Sequence, residues 1–320
     1  MTVLRGTAVA IALLGAALAA AGCGLGPGAG VGSVELTVTR EYGAVPVLQR
    51  SLEAKESDTV MRLLERSADI ETRYGGGYVR SIDGVAEDER GGDPYDWFFY
   101  VDGTESPTGA ADVDVQGGER IWWDYRDWAA TNHVPAVVGS WPAPFVHGVA
   151  GKRYPVVVEC ASAKRGSFVR SGTTKEPQVA WSDACGATQG ALEREGVKLA
   201  SGSPKGAIRV LVGAWSRLRS DPAARLVEEG PAESGIYADF KGRELVALDD
   251  AGNEARNLGP DAGLVAATSR YGGPPIWLVT GGTAAAVRAA ADALDVRHLR
   301  DRYAVAIENG KTTSLPVAER

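Results

Sequence analysis

Three cysteines carry the most specific chemistry this chain can offer: Cys23, Cys160 and Cys185. Cys23 follows Gly22 at the end of an apolar run, where its thiol is placed to take a diacylglyceryl group once a signal is cleaved. With Cys23 assigned to lipid, Cys160 and Cys185 form an even pair, which outside the cytoplasm is expected to be oxidised. In the chain-entropy model a cross-link between residues 25 positions apart stabilises by roughly 3–4 kcal/mol. A metal site is the rival use of these thiols. It is the weaker one, because no CxxC or HxxxH spacing accompanies them and the three histidines, His133, His147 and His298, are scattered.

Catalysis finds no foothold. There is no GxSxG elbow, no HExxH, and no cysteine with a histidine at a familiar spacing, so the chain reads as non-enzymatic, without a metal or resident cofactor. His133 and His147 lie in a Pro/Gly-rich segment and could serve as axial metal or cobalt ligands, although solvated loop histidines are commoner. Thr280-Gly281-Gly282-Thr283 precedes an expected helix and could cradle an anion. Lacking GxxxxGK[ST] and GxGxxG, it reads as an ordinary strand-to-helix turn. Glu87-Asp88-Glu89 and Asp249-Asp250 lack the spacing of a calcium loop and read as solvated.

The other unusual group is aromatic. Trp97, Trp122, Trp123, Trp128 and Trp141 are five of eight tryptophans, and Phe98, Phe99, Tyr100 and Tyr125 join them. Side chains alternate along a strand, so Trp97 and Phe99 share one face and Phe98 and Tyr100 the other. One set can fill a core; the other must meet solvent, a second domain or a ligand. Such an amphipathic aromatic surface beside glycines suits a flat organic molecule.

The elements that must position these groups begin with export. Arg5 precedes an apolar run over residues 7–21, too short to span a membrane, and no later segment approaches the 17–25 apolar residues required. Cleavage after Ala21 would release a soluble protein. Cleavage before Cys23 would anchor it by lipid, the reading favoured by Gly22-Cys23, Leu18 and the glycine-rich stretch that follows. The expected division is a signal peptide over 1–22, a lipid-anchored tether over 23–33, a first domain over 34–131, a linker over 132–151 and a second domain over 152–320. Losing Arg5 makes the formal charge of −7 one unit more negative, which excludes nucleic-acid binding through bulk electrostatics.

Within the first domain, residues 34–40 alternate as a half-buried strand and 47–52 form a second. Ser57 or Asp58 caps a helix carrying Val60, Leu63 and Leu64 on one face. Residues 70–74, 78–82, 97–101 and 119–125 read as further strands, with a turn at Asp102-Gly103. In the second domain strands are expected at 154–160, 208–215, 236–240, 244–248, 276–279 and 303–307. Helices are expected at 187–195, 222–229, 262–269 and 284–294, the second opened by Ser220 and Pro222. The fold class is α+β: a β-grasp-like domain followed by a mixed α/β domain.

Residues 74–87, YGGGYVRSIDGVAE, then 97–103, WFFYVDG, 108–112, TGAAD, and 117–125, GGERIWWDY, resemble the transcobalamin/intrinsic-factor C-terminal domain family. The resemblance spans about residues 34–128. It implies a β-grasp-type fold that binds a soluble ligand, in the animal carriers one side of cobalamin, through a glycine loop and the strand and turn after a tryptophan. The matching positions here are Gly76, Gly77, Tyr78, Val79, Ser81, Trp97, Phe99 and Gly109. The helical barrel that completes the carrier site is absent.

The function expected is that of a surface lipoprotein on the extracytoplasmic face of the cell membrane. It would bind a small molecule, a corrinoid or similar flat cofactor, and pass it to a membrane transporter. The alternative is a non-catalytic envelope module that binds a protein or glycan.

Overall fold

The computed structural model describes residues 28–86, 94–161, 168–170, 182–202, 204–270 and 272–318. Cys23 and the signal lie outside the described residues. The molecule is of α+β class, and two layered units share a core.

The first unit is built from β1 (Gly30–Arg40), β2 (Val45–Lys55), α1 (Val60–Glu65), β3 (Ile70–Arg73), β4 (Tyr78–Ile82), β5 (Val85–Ala86), β6 (Tyr95–Val101), β7 (Thr104–Glu105) and β8 (Arg120–Asp127). Its sheet runs β2-β1-β8-β6-β7. The central pair β1–β8 is parallel; the β1–β2 and β6–β8 pairs are antiparallel. On one face, Val34, Leu36, Val38, Trp97, Val101, Ile121, Trp123 and Tyr125 pack with Met61, Leu63 and Leu64 of α1 and with Val79 and Ile82 of the small β3-β4-β5 sheet. Thr59, rather than Ser57 or Asp58, caps α1, its hydroxyl accepting from the Arg62 amide. Asp58 instead accepts from the Lys55 amide and pairs with Arg66.

β1 is not the half-buried strand its alternation predicts. Thr37 and Thr39, on its polar face, are also buried, because the second unit covers that side of the sheet. β1 also begins at Gly30, so the stretch expected to be a tether to residue 33 is partly a paired strand: Gly30 is in register with Lys55.

Residues 132–151, the expected linker, are packed as a strap against both units. Val134, Val137, Val138, Ser140 and Trp141 are buried, and the short α2 (Ala143–Val146) continues the strap. Its backbone bonds both units: the Val137 amide donates to Gly103 O, and the Val138 amide to Tyr303 O.

The second unit comprises β9 (Val156–Ala161), β10 (Phe168–Arg170), α3 (Ser182–Arg194), β11 (Ile208–Ala214), α4 (Trp215–Leu218), α5 (Pro231–Ser234), β12 (Ala238–Lys241), β13 (Glu244–Leu248), β14 (Glu254–Gly259), β15 (Gly263–Thr268), β16 (Ile276–Gly281), α6 (Ala284–Asp292), α7 (Val296–Leu299), β17 (Ala304–Glu308) and β18 (Lys311–Leu315). The main sheet runs β10-β9-β11-β16-β15-β17-β18, with β9, β11 and β16 parallel. Helices α3 and α6 cover one face, where Val210, Val212, Trp277 and Val279 meet Trp141 and Phe145 of the strap. The other face, with Leu211, Leu264, Ala266 and Leu278, shares a core with β12, β13 and Tyr42, Tyr100 and Trp122 of the first unit.

Two helix expectations fail here. Within residues 262–269 the chain forms β15 (Gly263–Thr268), every residue of which is buried. A continuous apolar run does not distinguish a buried strand from a buried helix. At 222–229 the chain makes a 3-10 turn, Ala224–Glu229, which has no side-chain cap; the Asp221 carboxylate accepts from the Ala223 amide just before it.

The expected cross-link is present. Cys160 at the end of β9 is bonded to Cys185 in α3, with Cα atoms 6.1 Å apart, so a helix is stapled to the strand it packs on.

Candidate functional site

The glycine turn between β3 and β4 stands out from the first unit. Tyr74, Gly75 and Gly76 have φ of 52°, 74° and 95°, a left-handed path that glycine takes freely and tyrosine does not. That path leaves Tyr74 86 % exposed, its ring 6.1 Å from that of Tyr78. The Tyr78 hydroxyl donates to Asp96. A Cβ built on Gly109 would lie 3.7 Å from Gly77 O, so this turn and the Gly109 loop are neighbours.

The eight residues named from the sequence therefore divide. Gly76, Gly77, Tyr78 and Gly109 reach the surface together. Phe99 is half-buried and stacked on Trp123, with ring centroids 4.9 Å apart. Val79, Ser81 and Trp97 are inside the unit, and Trp97 packs on Tyr125 at 5.1 Å. Trp97 is a core residue, since α1 and the small sheet close over the face it occupies.

The loop over residues 104–114 also lines a groove of about 520 Å³ that sequence reasoning missed. Three separated segments build it: the β6–β7 hairpin and the loop after it, the strap, and the turn carrying Ser269, Gly272 and Gly273 of the second unit. The hairpin turns at Asp102-Gly103, whose φ of 48° and 79° match a two-residue turn with both centres left-handed. Asp102 accepts from the Arg120 amide at 2.8 Å, which fixes the hairpin to β8.

One wall of the groove is acidic. Glu105 accepts from the Val134 amide at 2.7 Å and pairs with His133 Nδ1 at 2.7 Å. That bond holds the His133 imidazole above its ordinary pKa. Glu119 is buried and accepts from the Gln116 amide at 2.8 Å. Burial, reinforced by the nearby charge of Asp102, pushes the Glu119 carboxyl up to about 7. His147 Nδ1 lies 3.6 Å from Asp102 Oδ2, which raises the histidine in turn. Val101, Pro107, Val113, Pro135, Val149 and Tyr154 supply apolar surface.

Between the units runs a second polar system, sealed from solvent. Trp122 Nε1 donates to Thr39 Oγ1 at 2.7 Å, and Thr39 donates to Asp124 Oδ1 at 2.5 Å. Burial pushes the Asp124 carboxyl up to about 6, against the lowering effect of these hydrogen bonds. The buried Arg126 guanidinium stands 3.7 Å from the Phe98 ring centroid and donates to the carbonyls of Asp127 and Thr131. These groups have no access to ligand, so their role is to join the units.

Neither of the other chemical candidates gathers a site. Among the described residues no group of three or more His, Cys, Asp and Glu could hold a metal ion. At the Thr280–Thr283 turn the Thr283 hydroxyl caps α6 through the Ala286 amide, and Gly282 is packed against Arg243 O. Among the described residues no helix is long and apolar enough to cross a membrane.

Residues 57–127 match a family model described as a domain of unknown function, DUF4430. The match falls within the region whose motifs resemble the transcobalamin/intrinsic-factor C-terminal domain. No curated protein matches the chain. Among solved structures the chain is similar to a protein from Ruminococcus gnavus ATCC 29149 described as a candidate metal-binding protein. The identity is 16 %, with a TM-score of 0.24, over 30 % of this chain and 97 % of that one.

Proposed function

We propose that the mature chain is a lipid-anchored surface protein that captures a soluble ligand outside the cytoplasm and passes it to a membrane transporter. The observation that carries this reading is the groove of about 520 Å³ between the first unit, the strap and the second unit. It falls within the 300–1,000 Å³ usual for small-molecule sites and combines apolar walls with a few convergent polar groups. Binding where two units meet lets a protein enclose a ligand that one layer alone could only touch.

The first unit reads as a β-grasp domain. The β1–β2 hairpin, the helix after it and the parallel pairing of β1 with β8 at the centre of the sheet support that reading. In keeping with the family resemblance, a corrinoid or similar flat cofactor is the first ligand to try, with Gly76, Gly77, Tyr78 and Gly109 as the exposed surface beside the groove loop. The protein has no catalytic step in this reading: its work is binding and transfer.

The test is equilibrium binding of the mature, oxidised protein to cobalamins and tetrapyrroles, read by tryptophan fluorescence. Saturable binding supports capture of a flat cofactor. Binding of none of these, with retention instead of an envelope protein or glycan by the immobilised chain, would favour the interaction-module alternative.

A further inference from the structure

We infer that the groove selects a compact organic cation: an ammonium or guanidinium group on an apolar body, the charge held against Glu119 and Glu105 and the body against Val149 and Tyr154. This inference rests on the capture reading above and narrows its ligand.

Charge around the groove is one-sided. Glu105, Asp112, Asp114 and Glu119 all line it, and no lysine or arginine is among its lining residues; His133 is the one basic side chain among them, and its Nδ1 is taken up by Glu105. Asp112 and Asp114 are exposed at the rim, while Glu119 is 5 % exposed at the inner end. The potential therefore deepens inward, along the path a cation would take.

Glu119 is the informative residue. A carboxylate buried to this extent is ordinarily matched by a cation. Here its partners are the Gln116 amide, Asp102 of like charge, and the part-exposed His147, whose attraction is shared with Asp102 3.6 Å away. Among the described residues no lysine or arginine forms an ion pair with Glu119. A ligand cation would supply the full countercharge that a histidine shared with Asp102 does not, and its binding would favour the ionised carboxylate. The Thr104 hydroxyl, at the same groove, is buried without a hydrogen-bond partner and can accept from an ammonium N–H. The same wall repels carboxylate-bearing ligands.

The experiment is calorimetric titration of the mature, oxidised protein at pH 8 with three molecules of one shape: phenethylammonium, 2-phenylethanol and phenylacetate. The ammonium is expected to bind about tenfold or more tighter than the alcohol, the ratio a charge-assisted hydrogen bond supplies, with the acid weakest. Glu119→Gln should cut that ratio to about threefold or less without changing affinity for the alcohol. Asp112→Asn with Asp114→Asn, at the exposed rim where folding is not at stake, should lower ammonium affinity severalfold and leave the alcohol unchanged. Equal affinity for all three molecules, or an ammonium preference untouched by every variant, overturns cation selection. If none of the three binds while a cobalamin does, cation selection fails and capture stands; silence in both sets of titrations defeats both.

Discussion

The hydroxyl of Tyr303, one residue before β17, donates to Asp124 Oδ2 at 3.1 Å, across the boundary between the two units. Tyr100 donates to the same Tyr303 oxygen at 3.2 Å, and Trp122 meets the Tyr303 ring edge-on at 5.4 Å. One tyrosine of the second unit is thus seated on three residues of β6 and β8 of the first. The units share a core, and the groove is lined by both.

Asp124 gives this seam a pH dependence. Its carboxyl is pushed up to about 6 in the folded protein. A raised acid binds its proton more tightly folded than unfolded, so its contribution is full below the unfolded value and is lost as pH rises to the folded one. Glu119, at about 7, acts in the same direction. Between pH 4 and pH 7.5 Asp124→Asn should therefore lose less stability than the parent, by about 2–3 kcal/mol. Urea unfolding at several pH values checks this, and parallel curves for the two proteins would count against it.

Trp97→Ala should act on stability. The side chain is 7 % exposed and packed between Tyr125 and the α1 side of the core, so its removal should cost about 3–5 kcal/mol. Equilibrium denaturation measures the cost. A loss below about 1 kcal/mol would mean that the tryptophan faces outward in solution.

Reduction of Cys160–Cys185 should lower stability by about 3 kcal/mol if the entropy of the cross-linked loop governs the effect. Denaturation with and without reductant gives the difference, and mass spectrometry of unreduced peptides from exported protein gives the pairing. Two free thiols would reject it.

Cys23→Ala should release the protein from membranes or leave it uncleaved, because the acylated thiol is the proposed attachment. Fractionation and N-terminal sequencing decide the matter: an unchanged mature N-terminus in the membrane fraction would exclude Cys23 as the anchor.

The sequence by itself determined features set by local periodicity and covalent chemistry. The alternation of Val34, Leu36 and Val38 gave a strand, Asp102-Gly103 gave the turn, and the even cysteine pair gave the cross-link. It also separated Trp97 and Phe99 from Phe98 and Tyr100, since facing follows from strand parity alone. Only the tertiary structure decided what each face meets. Thr37 and Thr39 fall on the polar side of an alternating strand, yet they are buried with Asp124 and Arg126 because a second unit approaches from far along the chain. Gly263–Thr268 is a strand because β16 and β17 flank it, information no local window holds. The groove brings Glu105, Glu119, Val149, Tyr154 and Ser269 together from segments without a common motif. Spacing along a sequence reports contacts within one element, whereas a cleft between units is made by contacts among several.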